Sequence, residues 1–181
     1  MINVVAGIIK NADNKILIAQ RNLHKSQGSL WEFPGGKIEQ GETREEAIVR
    51  EIKEELKIDI SPIRYVDEKA FEYPDKTINL IAIECKYEGG ALTKTEHEAV
   101  AWVSPDEMKE YEFAPADEFI VKYFIGKRVC PIVDREITLG DCFDVHMTLE
   151  GAPKWSAPDD VMVVEDYKEQ CLRCKYHREV L

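Results

Sequence analysis

Three carboxylates lie close together in the segment 43–56. Glu51, Glu54 and Glu55 are spaced i, i+3 and i+4, so a helix would bring them to one face. Like charges in this arrangement repel by roughly a few tenths of a kcal/mol per pair unless a cation neutralises them. Carboxylates on a rigid element are ligands that Mg²⁺ and Mn²⁺ accept. The pattern alone is also typical of a solvated acidic face on a surface helix.

The segment 43–56 itself is predicted to be an amphipathic helix. Thr43 with Glu46 three residues later forms a capping box at its start. Apolar residues recur at helical spacing and would form a buried face, namely Ala47, Ile48, Ile52 and Leu56. The helix would therefore hold the carboxylates on a packed support.

The carboxylates are also part of a longer motif that begins at Gly36. It reads Gly-x5-Glu-x7-Arg-Glu-Ile-x-Glu-Glu-x-Lys-Ile, with Glu42 and Arg50 as further fixed residues. This motif resembles the Nudix box, Gly-x5-Glu-x7-Arg-Glu-U-x-Glu-Glu-x-Gly-U, in which U is aliphatic. The one departure is Lys57, because the family has a glycine there that usually supplies a left-handed conformation at the helix end. No carboxylate of the motif is lost.

The resemblance extends over residues 1–125. Segments 5–9, 31–39, 73–75 and 114–117 are similar to those of the MutT branch of the Nudix family and its (d)CTP-preferring relatives. The implied fold class is α/β, a Nudix α/β/α sandwich around a mixed β-sheet. The resemblance does not cover the C-terminal segment.

The activity implied by the resemblance is that of a nucleoside triphosphate pyrophosphohydrolase. Members of this branch use water and Mg²⁺ or Mn²⁺ to cleave a nucleoside triphosphate between its α and β phosphates, giving a nucleoside monophosphate and pyrophosphate. The implied Mg²⁺ ligands are Glu51, Glu54, Glu55 and the carbonyl of Gly35. Arg50 would orient a carboxylate through its planar fork, which makes Arg50 and Glu54 catalytic candidates. Glu42 would be structural or an outer ligand.

A general base is expected on a loop over the phosphates, outside the helix. Glu96 stands six residues before Trp102 and resembles the family's loop glutamate, with Glu98 as its competitor. Either residue could instead ligate a second metal, and a helix carboxylate could serve as the base. Both loop glutamates could also be solvated charges. Glu96 and Glu98 are therefore candidate bases, and Glu96 is also a candidate Mg²⁺ ligand.

Candidates for nucleotide recognition follow from the same resemblance. Phe33, Tyr73 and Trp31 could pack against the base, and Asp117 could accept a hydrogen bond from an exocyclic amine. The MutT protein has Asn at the Asp117 position, whereas the CTP-preferring relatives have Asp, which favours cytosine or a modified base. Arg21 could reach the phosphates. The implied substrates are cytidine nucleotides or oxidised nucleotides such as 8-oxo-dGTP.

Short β-branched and aliphatic runs on both sides of the helix predict a sheet. Residues 4–10 and 15–20 flank a turn-forming cluster at 11–14 and are expected to form a hairpin. Further strands are expected at 63–71, 77–87 and 100–103, and short helices near 105–109 and 115–125. These elements would complete a Nudix domain over residues 1–126.

The composition excludes some classes of partner. The 181 residues include 24 Lys+Arg and 35 Asp+Glu, a formal net charge of −11, which repels nucleic-acid phosphates. We therefore expect no stable nucleic-acid binding, and a small-molecule nucleotide would need metal cations to meet this protein. No run approaches the roughly 18 apolar residues of a membrane helix, and the first residues lack a signal-peptide pattern. We expect no membrane association and a cytoplasmic location.

Residues 127–181 are predicted to form a small C-terminal domain, which contains four of the five cysteines. Their spacing is Cys130-x11-Cys142-x28-Cys171-x2-Cys174. The final pair suits a tetrahedral Zn²⁺ site or an iron–sulfur cluster, and His146 or His177 could replace one cysteine. Free buried cysteines or a redox pair are the alternatives. Because roughly fifty residues seldom bury enough apolar surface alone, metal or docking against the first domain should stabilise the segment.

Two other functions are compatible with parts of this sequence. A nucleotide-sensing regulator would bind nucleotide without cleaving it, but such a protein would tolerate loss of Glu54 or Glu55, and both are present. A second alternative makes the C-terminal segment a partner-docking module on a hydrolase. The sequence leaves the preferred base and the oligomeric state open.

Overall fold

The computed structural model describes residues 1–24, 26–154 and 157–177. The chain divides into two compact units, Met1–Phe119 and a second unit that begins at Ile120. Helix α2 (Glu118–Ile125) spans this division. The boundary inferred from the sequence, after residue 126, falls just beyond the end of that helix, where the composition changes.

The first unit is built on a mixed β-sheet, which confirms the expected fold class. Within the described residues its strands are β1 (Ile2–Lys10), β2 (Ile16–Arg21), β3 (Trp31–Glu32), β4 (Gly35–Lys37), β5 (Asp59–Tyr73), β6 (Lys76–Gly89) and β7 (His97–Val103). Five of them run in the order β3-β2-β1-β6-β5, while β4 pairs with β1 and β7 pairs with β2. β1 and β6 are parallel, in register from Ile2 opposite Ile78 to Lys10 opposite Lys86. The other pairs are antiparallel.

The hairpin expected at the start of the chain is present. The side chain of Asn11 closes its turn, because Asn11 Oδ1 accepts hydrogen bonds from the backbone amides of Asp13 at 3.0 Å and Lys15 at 2.9 Å. The strands expected at 63–71 and 77–87 are longer than predicted, and β3 and β4 were not predicted. The helices expected near 105–109 and 115–125 are a 3-10 helix (Asp106–Glu110), a 3-10 turn (Pro115–Asp117) and α2.

Helix α1 (Arg44–Leu56) carries the carboxylate motif and has the predicted cap. Thr43 Oγ1 accepts from the Glu46 amide at 3.2 Å, and Glu46 Oε2 accepts from the Thr43 amide at 2.9 Å. The helix ends at Lys57, which takes the left-handed conformation with φ 59°. Lysine therefore adopts the geometry that glycine supplies in the family motif, at a cost of roughly 1 kcal/mol.

The core of the first unit lies between α1 and one face of the sheet. Alternate residues of β1, such as Val5 and Ile9, point toward this core. They pack with fully buried side chains of the helix and of β2 and β6, including Ile48, Ile52, Leu56, Leu17, Ile81 and Ile83. The carboxylate face of α1 is thus fixed by the packing of its opposite face.

The second unit consists of a hairpin followed by short helices. Strands β8 (Lys127–Cys130) and β9 (Arg135–Thr138) are antiparallel, and helices α3 (Leu139–Leu149), α4 (Asp159–Met162) and α5 (Tyr167–Leu172) follow. Its small core contains three cysteines among its buried residues, which are Cys130, Ile137, Cys142, Val145, Ala157, Val161 and Cys171. All five cysteines of the chain lie in the described part and are free thiols. In the residues that the structure describes, no helix is long and apolar enough to cross a membrane.

Candidate active site

The first unit contains a cavity of about 310 Å³ beside the sheet. Its lining includes Gly35, Gly36, Glu55 and Glu96 from the helix motif and the loop before β7. It also includes Phe33, Tyr73 and Asp117. Seven of the predicted site residues therefore share one cavity, since Arg21 also lines it.

Glu55 is the carboxylate of α1 that lines this cavity. Its Oε2 atom is buried and, among the described residues, has no hydrogen-bond partner. The pKa of Glu55 is raised to about 7, chiefly by burial and also by the carboxylates of Glu32, Glu51 and Glu96, against the lowering effect of His97. Several carboxylates close to a buried oxygen that has no hydrogen-bond partner destabilise the folded state unless a cation neutralises their charge. This chemistry fits a hard divalent cation such as Mg²⁺.

Glu51 lies one turn before Glu55 and packs against Gly36. A Cβ atom at position 36 would clash with the Glu51 carboxyl group, so any other residue there would displace this carboxyl group. Arg50 Nη1 lies 3.0 Å from Glu51 Oε1. The first glycine of the motif thus leaves room for its first helix carboxylate in this position.

Arg50 binds a carboxylate through its planar guanidinium group, the type of contact that was predicted for it from the sequence. Its Nε and Nη2 donate to the two oxygens of Glu42 at 2.8 and 2.9 Å, and Nη2 also donates to the carbonyl of Lys37 at 3.0 Å. These hydrogen bonds lower the pKa of Glu42. Glu42 is therefore held as an anion that positions Arg50. Glu42 itself does not line the cavity.

Glu54 is the exposed member of the three helix carboxylates. Its side chain is 62% exposed, against 16% for Glu51. Both residues contact the same atom, Arg50 Nη1, Glu51 at 3.0 Å and Glu54 at 3.6 Å, and neither is among the residues that line the cavity. The helix therefore brings Glu51 and Glu54 to one guanidinium, and of the three carboxylates Glu55 is the one that lines the cavity.

The carboxylate oxygens do not converge on one point. Across residues 1–24, 26–154 and 157–177, no group of three or more His, Cys, Asp or Glu side chains has a geometry that could hold a metal ion. The donor types fit Mg²⁺ or Mn²⁺, and side-chain rotation would have to complete the site. Of the predicted Mg²⁺ ligands, Gly35, Glu55 and Glu96 line the cavity, whereas Glu51 and Glu54 both contact Arg50.

The loop that carries Glu96 is attached to the end of α1. Thr95 donates to the carbonyl of Glu55 from its backbone amide at 2.9 Å and from its Oγ1 at 2.8 Å. The neighbouring Glu96 lines the cavity. Glu98 follows His97 on β7, so its side chain faces the opposite side, and it is not a cavity-lining residue. The structure thus favours Glu96 over Glu98.

Sequence reasoning missed two polar residues of the cavity, Glu32 and His97. His97 Nε2 lies 3.1 Å from Glu32 Oε1, and the other oxygen of Glu32 pairs with the guanidinium of Arg21. The side chains of His97 and Glu32 are only 5% and 17% exposed. The signal that could have drawn attention to them is their place in the sequence, because Glu32 lies shortly before the motif glycines and His97 directly follows Glu96.

The same alternation turns Trp31 away from the cavity. Trp31 packs edge-to-face on Tyr111, with ring centroids 4.8 Å apart, and is not among the residues that line the cavity. Its neighbour Glu32 on the two-residue strand β3 points inward instead. The expectation that Trp31 lines the cleft is therefore not met in the described residues.

Asp117 also lines the cavity and lies in the Pro115–Asp117 turn. Asp117 Oδ1 accepts a hydrogen bond from the backbone amide of Phe33 at 2.9 Å. The pKa of Asp117 is raised to about 8, chiefly by burial and also by the nearby Glu32, against the lowering effects of the Phe33 hydrogen bond and of Arg21. Burial and the Asp117 carboxyl also raise the pKa of Tyr73. The phenyl ring of Phe33 stacks on Phe113 with centroids 5.6 Å apart.

The sheet, the capped helix and its carboxylates define the class of protein, and comparison with known families agrees. The NUDIX domain matches residues 2–124. The chain belongs to the Nudix family, in its MutT-like and CTP pyrophosphohydrolase-like branch, and is a hydrolase that acts on phosphorus-containing acid anhydrides.

Two relatives from Escherichia coli strain K12 illustrate the branch. The chain is 41% identical over 134 residues to a CTP pyrophosphohydrolase, covering 74% of this chain and 98% of that protein. It is 35% identical over 121 residues to an 8-oxo-dGTP diphosphatase, covering 66% of this chain and 93% of that protein.

Two solved structures show the same fold. The E. coli ORF135 protein, solved in solution, matches with a TM-score of 0.59 and 43% identity, covering 67% of this chain and 86% of that chain. The MutT protein from Methanosarcina mazei Go1 matches with a TM-score of 0.60 and 26% identity, covering 66% and 88%. The matched part corresponds in size to the first unit.

Proposed function

We propose that this enzyme hydrolyses nucleoside triphosphates to nucleoside monophosphates and pyrophosphate, with Mg²⁺ or Mn²⁺. The observation that carries the proposal is a single cavity lined both by the carboxylates Glu55 and Glu96 and by a buried, hydrogen-bonded Asp117. The carboxylates suit a cation-bound triphosphate, so we place the phosphate end there, and Asp117 suits a base, so we place the base end there.

At the phosphate end, Glu51, Glu55, Glu96 and the carbonyl of Gly35 would hold the divalent ion. When bound, that ion supplies charge neutralisation for the phosphates. Glu96 would take the proton of the attacking water as its oxygen bonds to phosphorus, and the bridging oxygen would leave with the other phosphate. Arg21, held by Glu32, would meet a phosphate oxygen beside this centre.

At the base end, Asp117 would read the hydrogen-bonding edge of the nucleobase. Its raised pKa supports a protonated carboxyl near neutral pH, which can both donate and accept. Cytosine presents an amine donor beside a ring nitrogen acceptor, and such a carboxyl matches both. Phe33 and Tyr73 would pack against the base. Cytidine triphosphates are therefore the substrates we place first, in line with the CTP pyrophosphohydrolase relative.

An oxidised purine nucleotide is the second candidate substrate. A neutral carboxyl offers the same donor and acceptor pair as the side-chain amide of asparagine, so Asp117 does not exclude the substrate named for the 8-oxo-dGTP diphosphatase relative. The two candidates differ in base size and edge, while they share the triphosphate.

A kinetic screen tests the proposal. The kcat/KM values for CTP, dCTP, GTP, dGTP and 8-oxo-dGTP are measured with Mg²⁺, and chromatography identifies the products. We expect monophosphate and pyrophosphate, with a cytidine nucleotide highest. Release of a nucleoside diphosphate and inorganic phosphate would contradict the proposed cleavage position. The highest efficiency on 8-oxo-dGTP would reverse the substrate order.

Asp117→Asn tests the role given to the base end. The substitution keeps an acceptor for the Phe33 amide, so we expect the ranking of bases to change without an equal loss for all triphosphates. An equal loss for every substrate would make Asp117 a structural residue.

A further inference from the structure

The second unit contains a small cavity at which its four cysteines meet. Cys130, Cys142, Cys171 and Cys174 all line this cavity, whose volume is about 10 Å³. A volume of this size is about that of one water-sized sphere. The cavity therefore has room for one ion and for little else.

The cysteines reach the cavity from three separate elements. Cys130 ends strand β8, Cys142 lies in the first turn of α3, and Cys171 lies in the last turn of α5. The backbone amide of Cys174 donates to the carbonyl of Cys171 at 3.1 Å, in the turn that brings the second sulfur of the pair back to the cavity. A shared ligand here would connect the hairpin to both helices.

Hydrogen-bond donors are directed at two of the sulfurs. The backbone amide of Tyr176 lies 3.5 Å from Cys174 Sγ, and the Arg128 guanidinium lies 3.9 Å from Cys142 Sγ. The guanidinium of Arg128 also stacks over the Tyr176 ring at 4.6 Å, which holds it in place. Donors of this kind stabilise thiolates and orient them as metal ligands.

The size of the unit supplies an independent physical reason for a ligand. Three of the seven buried residues in the cluster around Cys130 are cysteines, and no disulfide joins the described cysteines. A unit of about 60 residues with a core of this size seldom folds without a disulfide or a metal. The same cysteines that weaken the apolar core could supply the missing stabilisation.

We propose that Cys130, Cys142, Cys171 and Cys174 form a tetrathiolate Zn²⁺ site that holds the second unit together. Sulfur is a soft donor that selects Zn²⁺ over Mg²⁺, and four thiolates give the closed tetrahedral set of a structural site. The four cysteines line one cavity, but no group of three or more metal-ligating side chains in the described residues has metal-binding geometry, so zinc would draw the sulfurs in to metal–sulfur distances of about 2.3 Å.

His146 is the competing ligand, because it lines the same cavity and its Nε2 is buried without a partner in the described part of the chain. Its ring packs edge-to-face on His177, with centroids 5.0 Å apart. Four cysteines already complete a tetrahedron, so His146 is assigned to the wall of the site. Replacing it therefore distinguishes the two ligand sets.

The first experiment measures metal in the full-length protein, purified without chelators or metal-affinity resin. We expect about one zinc per chain, and Cys174→Ser should lose most of it. Cys174 is the least buried of the four, so its replacement disturbs packing least. Cys85→Ser is the matched control, since Cys85 lies in the core of the first unit, and this variant should retain its zinc.

A second experiment keeps the proposal testable if a variant folds poorly. Wild-type protein is stripped of metal and refilled with Co²⁺, and we expect the visible absorption of tetrahedral cobalt–thiolate coordination. The proposal is overturned by wild-type protein with less than about 0.1 zinc per chain and no such cobalt spectrum. It is also overturned by iron in place of zinc, or by zinc loss in His146→Gln with retention in Cys174→Ser.

Discussion

Position 36 and position 51 act as a pair at the scale of single residues. Glycine at 36 leaves space for the carboxyl group of Glu51, which a Cβ atom there would displace. Arg50 then holds Glu51 from the other side while both oxygens of Glu42 hold Arg50. The spacing of the Nudix motif therefore places Gly36, Glu42, Arg50 and Glu51 where they contact one another.

The unpaired oxygen of Glu55 leads to a prediction for turnover. Glu55→Gln removes a charge that the proposed divalent ion would neutralise, so we expect kcat to fall at least about a hundredfold. The folded protein should be as stable as wild type or more so, because a buried, crowded carboxylate is lost. Steady-state kinetics and thermal unfolding measure the two effects.

Glu54→Gln is the matched control for this prediction. Glu54 is on the same helix but is largely exposed, so its replacement should cost much less than that of Glu55. Equal losses in the two variants would contradict the distinction drawn between Glu55, which has a buried carboxyl oxygen, and the exposed Glu54.

Asp117 leads to a prediction for the pH dependence of stability. The pKa of Asp117 is raised from about 3.9 in an unfolded chain to about 8 in the folded protein. Between these values the folded protein binds a proton that the unfolded chain has lost. The stability contributed by this proton is complete below about pH 4 and is lost as pH rises through 8, by up to roughly 1.4 kcal/mol per pH unit.

Asp117→Asn should remove this pH dependence, because the amide has no proton to lose in this range. Denaturant unfolding at pH 5, 6, 7 and 8 should show the Asn variant gaining on wild type by roughly 1 kcal/mol per pH unit. Parallel stability profiles for the two proteins would show that Asp117 keeps its ordinary pKa in the folded state.

At the scale of elements, the sequence predicts those helices and strands that have a periodic apolar pattern, a capping motif or a turn signal. Helix α1, the first hairpin and the long strands β5 and β6 carry such signals, and all are present. Strands β3 and β4 have two and three residues, so no alternation could mark them. They are set by pairing with β2 and β1, and they determine that Glu32 faces the cavity and Trp31 does not.

The C-terminal end of α1 shows a similar limit. Because the motif glycine is replaced by Lys57, the sequence did not predict the backbone conformation at the helix end. Lys57 takes the left-handed conformation there. The loop after β6 then returns to this end, where Thr93 and Thr95 donate to the carbonyls of Leu56 and Glu55 at 2.9 Å each. Such long-range capping has no local sequence signal.

This attachment predicts an effect of Thr95 on the candidate base. Thr95→Ala removes the Oγ1 hydrogen bonds to the carbonyls of Glu54 and Glu55 and should loosen the neighbouring Glu96. A hydrogen bond contributes roughly 1 kcal/mol, so we expect kcat to fall by about fivefold. Thr93→Ala is the control, because the Thr93 hydroxyl donates only to Ala91 within its own loop, and kcat should stay within about twofold. Equal effects of the two substitutions on kcat would mean that the hydrogen bonds of Thr95 to the end of α1 do not position Glu96.

At the scale of the whole molecule, each unit has its own core. The first core is rich in isoleucine and leucine, whereas the second is small and contains three thiols. The burial that stabilises the two units therefore differs in kind, with apolar area in one and, by our proposal, metal ligation in the other. Their stabilities should respond to different conditions.

Calorimetry of the full-length protein should show this difference as two unfolding transitions. A zinc chelator should lower the melting temperature of one transition and leave the other in place, because only one unit loses a ligand that its folded state binds. Cys174→Ser should reproduce the effect without chelator. A single transition whose calorimetric and van't Hoff enthalpies agree would mean that the two units unfold as one, and that the thiol-lined core is stabilised by the rest of the chain.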